Sequence, residues 1–248
     1  MKLAIAIPTY NEAANIKKLL PAIKENLSNE SSVDCTVFVI DDNSPDGTAD
    51  ISDKVGKKLK ATKFNVKVIR RKKKEGLGRA YIYAFHAILA LDYDYILQMD
   101  ADLSHDPKYI PQFLQATEDC DFVVGSRYVK GGATPDWSWN RKLLSRAGNI
   151  YTKTILSSKI SDYTGGYNLF SAALLHKINL DTLQAGGYGF LIELKYKALE
   201  NCHNVAQVPI VFMDRQHGDS KLPRGIIIKN ILLVMKVRFS RVFTAANT

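Results

Sequence analysis

Cys35-Thr-Val-Phe-Val-Ile-Asp41 runs directly into Asp42-Asn-Ser-Pro-Asp-Gly-Thr48, and this join decides the fold. The first stretch is apolar and β-branched with no polar alternation, the pattern of a strand buried on both faces in a parallel sheet. Pro45 and Gly47 end it in a polar turn, and Thr48–Lys60 then has helical periodicity. A buried strand, a polar turn at its carboxyl end and a helix make half of a βαβ unit.

The same pattern extends both ways. Leu3–Ile7 reads as a strand followed by a helix over Ala13–Asn26, Asn65–Arg70 as a strand followed by a helix over Leu77–Leu91, and Tyr95–Met99 as a strand followed by a helix over Pro107–Ala116. Asp121–Gly125 is a fifth strand. The alternation predicts an α/β fold, a mostly parallel sheet flanked by helices in a single domain. After Gly125 the regularity fades into a Gly131–Pro135 loop, a helix over Arg141–Leu156, the segment Asp162–Phe170, a glycine-rich turn at Gly186–Gly189, a helix over Phe190–Glu200 and a strand over Val205–Phe212. Residues 1–224 are read as the main domain and 225–248 as an amphipathic tail. That tail reads either as a helix lying in a membrane interface or as one packed on the core.

With 248 residues, 46% of them hydrophobic, the chain has enough apolar surface for one sizeable core. A net charge of +9 points to an anionic partner without choosing among nucleic acid, phosphorylated substrate and membrane surface. The densest basic run, Arg70–Lys74, lacks interleaved aromatics, so it reads as a solvated or membrane-facing patch and no nucleic-acid partner is expected. Cys35, Cys120 and Cys202 are far apart and odd in number, with no Cys-x-x-Cys, so neither a disulfide framework nor a zinc site follows, and they read as buried thiols. No signal peptide is read at the N-terminus, and no stretch reaches the ~18 apolar residues of a spanning helix.

Three polar clusters follow predicted strands: Pro8-Thr-Tyr-Asn-Glu12, Asp41–Thr48 and Asp100-Ala-Asp102. In open α/β sheets ligands bind beyond the carboxyl ends of the strands, so three such clusters on one edge make a candidate site. Asp42, Ser44, Asp46, Gly47 and Asp53 approximate a calcium loop, but Pro45 interrupts it and a strand precedes it. A turn in which Asp42 and Asp46 cap the next helix is the better reading. Asp100 and Asp102 point the same way in extended backbone, and two converging carboxylates call for a cation. Magnesium or manganese suits them, because such ions take one or two carboxylates plus substrate phosphates. The alternative is a pair of solvated turn carboxylates near the helix at Pro107. No Walker A loop, dinucleotide fingerprint, nucleophile elbow or His-Glu-x-x-His motif is present.

Taken in order, the motifs resemble family 2 glycosyltransferases of the GT-A fold, and among them the dolichyl-phosphate (polyprenyl-phosphate) mannose synthases. The matching stretches are Pro8–Glu12, Ile40–Thr48, Gly76-Leu-Gly-Arg-Ala-Tyr81, Met99-Asp-Ala-Asp-Leu-Ser-His105, Gly125–Gly132, Asn140-Arg-Lys-Leu-Leu-Ser-Arg146, Val208–Arg215 and Gly218-Asp-Ser-Lys221. The resemblance implies that Pro8, Tyr10, Glu12, Ile40 and Asp42 hold the guanine nucleotide. It implies that Asp100, Ala101 and Asp102 approach ribose, diphosphate and metal, with Ser104 near the metal. Arg127, Arg141 and Ser145 would receive the lipid phosphate, and Arg215 and Lys221 would neutralise the donor diphosphate on a closing loop. Asn168 stands where the family usually carries Arg, so the sugar and acceptor contacts of that loop are not carried over.

The implied reaction is transfer of mannose from GDP-mannose to dolichyl or polyprenyl phosphate with inversion, dependent on Mg2+ or Mn2+. The enzyme would sit peripherally on the cytoplasmic face of a membrane, with or without small anchoring subunits. A polyprenyl-phosphate glucosyltransferase using a UDP-sugar, and a catalytically inactive scaffold binding nucleic acid or membrane, are the competing readings. A nucleotidyltransferase would need a basic glycine-rich loop after the first strand, which Pro8–Glu12 is not.

Overall fold

A computed structural model describes residues 1–183, 186–214 and 231–239. The chain opens with three strand–helix pairs: β1 (Lys2–Thr9) and α1 (Ala13–Asn26), β2 (Asp34–Asp41) and α2 (Thr48–Leu59), β3 (Phe64–Arg70) and α3 (Leu77–Leu89). β4 (Tyr95–Gln98) leads through a 3-10 turn at Pro107–Tyr109 into α4 (Ile110–Gln115), and β5 (Phe122–Ser126) follows. Then come α5 (Trp139–Ile155), β6 (Asn168–Ser171), α6 (Ala172–His176), α7 (Gly187–Asn201), β7 (Val205–Pro209) and a helix over residues 231–239, α8.

The strands alternate between two apolar layers. Ala4 and Ala6 of β1, Phe38 and Ile40 of β2 and Phe122 and Val124 of β5 pack with α3, α6, α7 and α8. Leu3, Ile5 and Ile7, with Val37, Val39 and Val123, pack with α1 and α4. Strands with apolar side chains on both faces are stable only between two helical layers, and that is what makes the seven strands one central sheet. Burial at ~25 cal/mol per Å2 drives this sandwich.

The strand order is β3-β2-β1-β4-β6-β5-β7. Every neighbour pair is parallel except those of β6, which runs antiparallel to both β4 and β5. The reversal positions the site. Because β6 is antiparallel, its first residue lies at the sheet edge where β4 ends, with Asn168 opposite Gln98. The loop before β6 is thereby carried to the segment that follows β4. Asn168 is wholly buried, and its amide donates to Gln98 Oε1 at 2.9 Å. The position where the family usually has Arg is, in this chain, part of the sheet floor.

α5 is amphipathic in the inverted sense. Asn149 and Thr152 are its buried residues, while Trp139, Leu143 and Ile150 are 72%, 54% and 60% exposed. Arg141, Ser145, Asn149 and Thr152 share the inward side, and Trp139, Leu143 and Ile150 share the outward side, as helical periodicity requires. α8 has both kinds of face. Leu233, Val234 and Val237 join the core beside α7, whereas Leu232 and Phe239 are exposed. Tyr151 of α5 donates to the Ile231 carbonyl, which ties the two helices together. The rest of the expected tail lies outside the described residues. No helix among the described residues is long and apolar enough to cross a membrane.

Candidate active site

The loops after β1 and β2 are bound to each other. Asp41, buried, accepts from Thr9 Oγ1 at 3.0 Å and from the Ser44 backbone N–H at 2.9 Å. Asp46 accepts from the backbone N–H groups of Thr48 and Ala13, each at 3.0 Å, and the Glu12 N–H donates to Thr48 Oγ1. Asp46 therefore does hold the start of α2, as expected. Asp42 does not: it pairs with Arg71, whose side chain is only 7% exposed. Burial raises the Asp42 pKa even with that cation beside it. Arg71 also pairs with Glu75, Arg70 with Asp50 and Asp53, and Lys74 lies 3.9 Å from the centre of the Tyr10 ring. The basic run expected as a solvated or membrane-facing patch is thus largely paired, because β3 delivers it against the acidic ends of β2 and α2. Pro8 and Ile40 are buried, and Ile40 contributes its side chain to the core. Tyr10 is the exposed ring of this group.

After β4 the chain turns sharply through Leu103, a leucine held at φ 64°. Asn11 and Asn43 occupy the same left-handed region after β1 and β2, but asparagine tolerates it and leucine does not, so the strain is concentrated at Leu103. The turn is pinned from below. His105, wholly enclosed, accepts the Asp100 backbone N–H on Nδ1 at 2.9 Å and stacks on Tyr167. Burial lowers the His105 pKa despite the neighbouring Asp100, which matches an unprotonated Nδ1. Asp100 accepts the Tyr81 hydroxyl on Oδ1 at 2.8 Å and keeps 24% of its side chain exposed. Asp102 is buried, and its Oδ1 accepts both the backbone N–H and the hydroxyl of Ser104. Ser104 is itself buried and orients this carboxylate. The turn of helix at Pro107 is capped by Asp106, which accepts from the Lys108 N–H, so the alternative reading of Asp100 and Asp102 as carboxylates serving that helix is not needed.

The pair fits a hard divalent cation. Both donors are carboxylate oxygens, each steered by a hydroxyl, and no third acidic, His or Cys side chain joins them among the described residues. A cation held there would take its remaining ligands from phosphate or water. A Cβ on Gly166 would stand 3.3 Å from His105 Cε1 and 3.4 Å from Asp100 Oδ2, so the glycine lets its loop lie close against this turn.

Arg127 follows β5 and is almost enclosed. Its Nε and Nη2 donate to the two oxygens of Asp162, both at 2.7 Å, and Nη2 also reaches Thr164 Oγ1. Trp137 and Phe212 cover the guanidinium. Burial alone would raise the Asp162 pKa, but the Arg127 charge and hydrogen bonds, with Lys195 behind them, hold it well below the usual carboxylate range. Gly132 is required here, since a Cβ on it would meet Ser126 O at 2.6 Å. Asp162 further accepts the N–H groups of Arg127 and Gly165. The loop 162–166 therefore joins the arginine to Gly166, which abuts Asp100 and His105.

Arg141 stacks on Trp137 at 4.0 Å and pairs with Asp214, and Ser145 is hydrogen-bonded to the Tyr128 hydroxyl. Arg127, Arg141 and Ser145 thus cluster around Trp137 and Tyr128. Arg215 and Lys221 lie outside the described residues. Tyr81 lay within a quoted motif without an assigned role. Asp162 and Lys195 were missed: a lone acid before a Gly-Gly pair and a lysine in a helical run carry no periodic signal.

The chain is similar to known proteins over most of its length. The model of the glycosyl transferase family 2 matches residues 4–178. An undecaprenyl-phosphate mannosyltransferase of Micrococcus luteus is 36% identical over 95% of this chain and 93% of its own length. A polyprenol monophosphomannose synthase of Mycolicibacterium smegmatis is 36% identical over 88% of this chain and 80% of its own. Among solved structures, mannosyl-3-phosphoglycerate synthase from Rubrobacter xylanophilus superposes with TM-score 0.61 at 18% identity, covering 100% of this chain and 75% of that one. A mannosyltransferase from Pyrobaculum calidifontis, solved with GDP-Man and Mn2+, gives TM-score 0.59 at 17% identity, with the same coverage. The fold is the GT-A fold, and the chain belongs to glycosyl transferase family 2.

Proposed function

We propose that this enzyme transfers mannose from GDP-mannose to a polyprenyl phosphate, with inversion at the sugar C1, at a membrane surface. The observation that carries the reading is the loop 162–166, which links the buried Arg127 at one end to the Asp100 carboxylate at the other. In this reading donor diphosphate and acceptor phosphate take separate seats on one short connection. The relatives named for mannosyl transfer to polyprenyl phosphates, similar over most of the chain, support the choice of substrates.

A phosphate monoester is mostly ionised near neutral pH, with a second pKa of about 6, so it attacks without a strong base. His105 fits that economy, since its Nδ1 already accepts from Asp100 and its ring is enclosed. What remains for the protein is positioning and charge. Arg127, oriented by Asp162, and Arg141, stacked on Trp137, present guanidinium charge to the acceptor with Ser145 beside them. Magnesium or manganese, held by Asp100 and Asp102, would neutralise the departing diphosphate, and Arg215 and Lys221 are assigned the same task. Ser104 acts through Asp102. Tyr10, Glu12 and Asp42 line the nucleotide side.

The deciding assay offers labelled GDP-mannose or UDP-glucose to the full-length protein with undecaprenyl phosphate, with Mg2+, Mn2+ or chelator. Mannosyl lipid formed only with metal is expected. Transfer only from UDP-glucose overturns the donor, and transfer undiminished by chelator overturns the metal assignment.

A further inference from the structure

Three buried side-chain polar atoms lack a hydrogen-bond partner among the described residues: Gln98 Nε2, Asn168 Oδ1 and Trp137 Nε1. The first two belong to one amide pair in the sheet floor, already joined by a bond at 2.9 Å. Trp137 has no such explanation. Its indole nitrogen can only donate, its side chain is nine-tenths buried, and a buried donor left unmade costs free energy. The loop that carries it is braced against the segment after β7. The Ala133 N–H donates to the Ile210 carbonyl at 3.0 Å, and the Phe212 N–H to the Ala133 carbonyl at 2.9 Å. The Asp214 N–H donates to Asp136, next to Trp137 in sequence, and Phe212 meets the indole at an interplanar angle of 78°.

The surroundings point to the ligand. Arg141 Cζ lies 4.0 Å from the indole centre and Arg127 Cζ 5.2 Å from it. Asp162 and Asp214 bond to the two guanidiniums, and neither is a partner of the indole N–H. A fixed N–H donor beside two guanidiniums suits an anion with several acceptor oxygens. We propose that Trp137 is a further acceptor-binding residue: its Nε1–H donates to a phosphate oxygen of the lipid monophosphate held by Arg127, Arg141 and Ser145. The inference rests on the function proposed above. Arg141 covers the ring and keeps 27% of its side chain exposed, so its movement admits the phosphate oxygen. The donor is in place before binding, and meeting it orders nothing new.

The test is magnetic resonance of the full-length protein, isotope-labelled at the indole nitrogens. Trp137 and Trp139 are its two tryptophans, and Trp139→Phe, at an exposed position of α5, identifies the Trp137 signal. Farnesyl phosphate, a short polyprenyl phosphate, should move the Trp137 indole proton downfield, as a charge-assisted hydrogen bond does. Farnesol, the same lipid without phosphate, should not. In kinetics, Trp137→Phe keeps a ring against both arginines and removes the N–H, so the acceptor KM should rise on the order of tenfold with the KM for GDP-mannose nearly unchanged. An unmoved Trp137 signal at saturating farnesyl phosphate assigns the N–H to a structural water and overturns the proposal. So does an equal shift with farnesol, or a folded Trp137→Phe with unchanged acceptor KM. An unmoved indole in a protein that does transfer mannose to farnesyl phosphate overturns this inference alone. A shifted indole in a protein that transfers no mannose overturns the function proposed above and leaves Trp137 as a phosphate donor. No binding of farnesyl phosphate by calorimetry overturns both.

Discussion

The Tyr81 hydroxyl, wholly buried on α3, donates to Asp100 Oδ1 at 2.8 Å. Burial and then the Asp100 charge push its pKa well above the ordinary phenol value, so it remains a donor across the working pH range. The bond selects which lone pairs of Asp100 face outward. Tyr81→Phe removes it with little change in volume. Stability should fall by about 1 kcal/mol, because Asp100 keeps partial access to water. Activity should fall about tenfold, with part of it recovered at raised metal concentration. A Mn2+ titration of the rate checks this, and an unchanged metal requirement counts against the orientation role.

Ser104 supplies the corresponding test at Asp102. Its hydroxyl and backbone N–H both reach Asp102 Oδ1, and only the hydroxyl is removed by Ser104→Ala. Groups that orient metal-binding carboxylates typically matter by 10–100-fold in metal affinity or activity. The Ala variant should therefore need about tenfold more Mg2+ for half-maximal rate, while Asp102→Ala should lose metal-dependent transfer and keep the fold. Equal behaviour of Ser104→Ala and wild type would place the serine outside the metal's influence.

The Arg127–Asp162 pair predicts an acid limit to stability. The folded Asp162 carboxyl titrates below its unfolded value of about 3.9, so its contribution is complete above that pH and is lost as pH falls through the folded value. Arg127→Met leaves Asp162 buried and facing only Lys195 and backbone donors, and breaking such a pair costs about 3–5 kcal/mol. Denaturant unfolding at pH 7 and pH 4 measures both effects. The variant's stability should fall off at a higher pH than the wild type's, and parallel pH dependence of the two proteins would refute the pairing's role.

Much of this architecture can be read from the chain because β1, β2 and β4 are buried on both faces and end in polar turns. Period and punctuation suffice for such elements. β6 escapes that reading: Asn168–Ser171 is four residues long, follows Gly165-Gly166, and acquires strand geometry from its pairing with β4 and β5. Without β6 there is no sequence-level reason for Asp162 to reach Arg127, 35 residues away. Lys195 shows a different limit. α7 is buried nearly all round, with Leu191, Ile192, Leu194, Tyr196 and Ala198 enclosed, so helical period cannot say which polar residue goes inside. Arg127, Arg141 and Ser145 were found through the family resemblance. The residue types alone read as surface salt bridging, because the enclosing Trp137 and Phe212 come from separate loops.

The outward face of α5 carries the last prediction. Trp139, Leu143 and Ile150 are exposed on one side of a helix whose inner side bears Arg141 and Ser145, and α5 contains Arg141, Lys142, Arg146 and Lys153 without a single acid. Apolar residues outward and cations beside them suit the headgroup boundary of an anionic bilayer, where each inserted side chain contributes roughly 1.5–3 kcal/mol at full burial. A lipid phosphate reaching Ser145 would then enter from the membrane along the same helix. Replacing Trp139, Leu143 and Ile150 together by Ser should weaken binding to phosphatidylglycerol vesicles on the order of 100-fold. Exposed positions shift stability by only about 0.5 kcal/mol each, so the melting temperature should hardly move. Transfer to farnesyl phosphate in solution should persist in the triple variant while transfer to vesicle-embedded undecaprenyl phosphate falls. Vesicle affinity equal to that of the wild type would move the membrane contact elsewhere on the molecule.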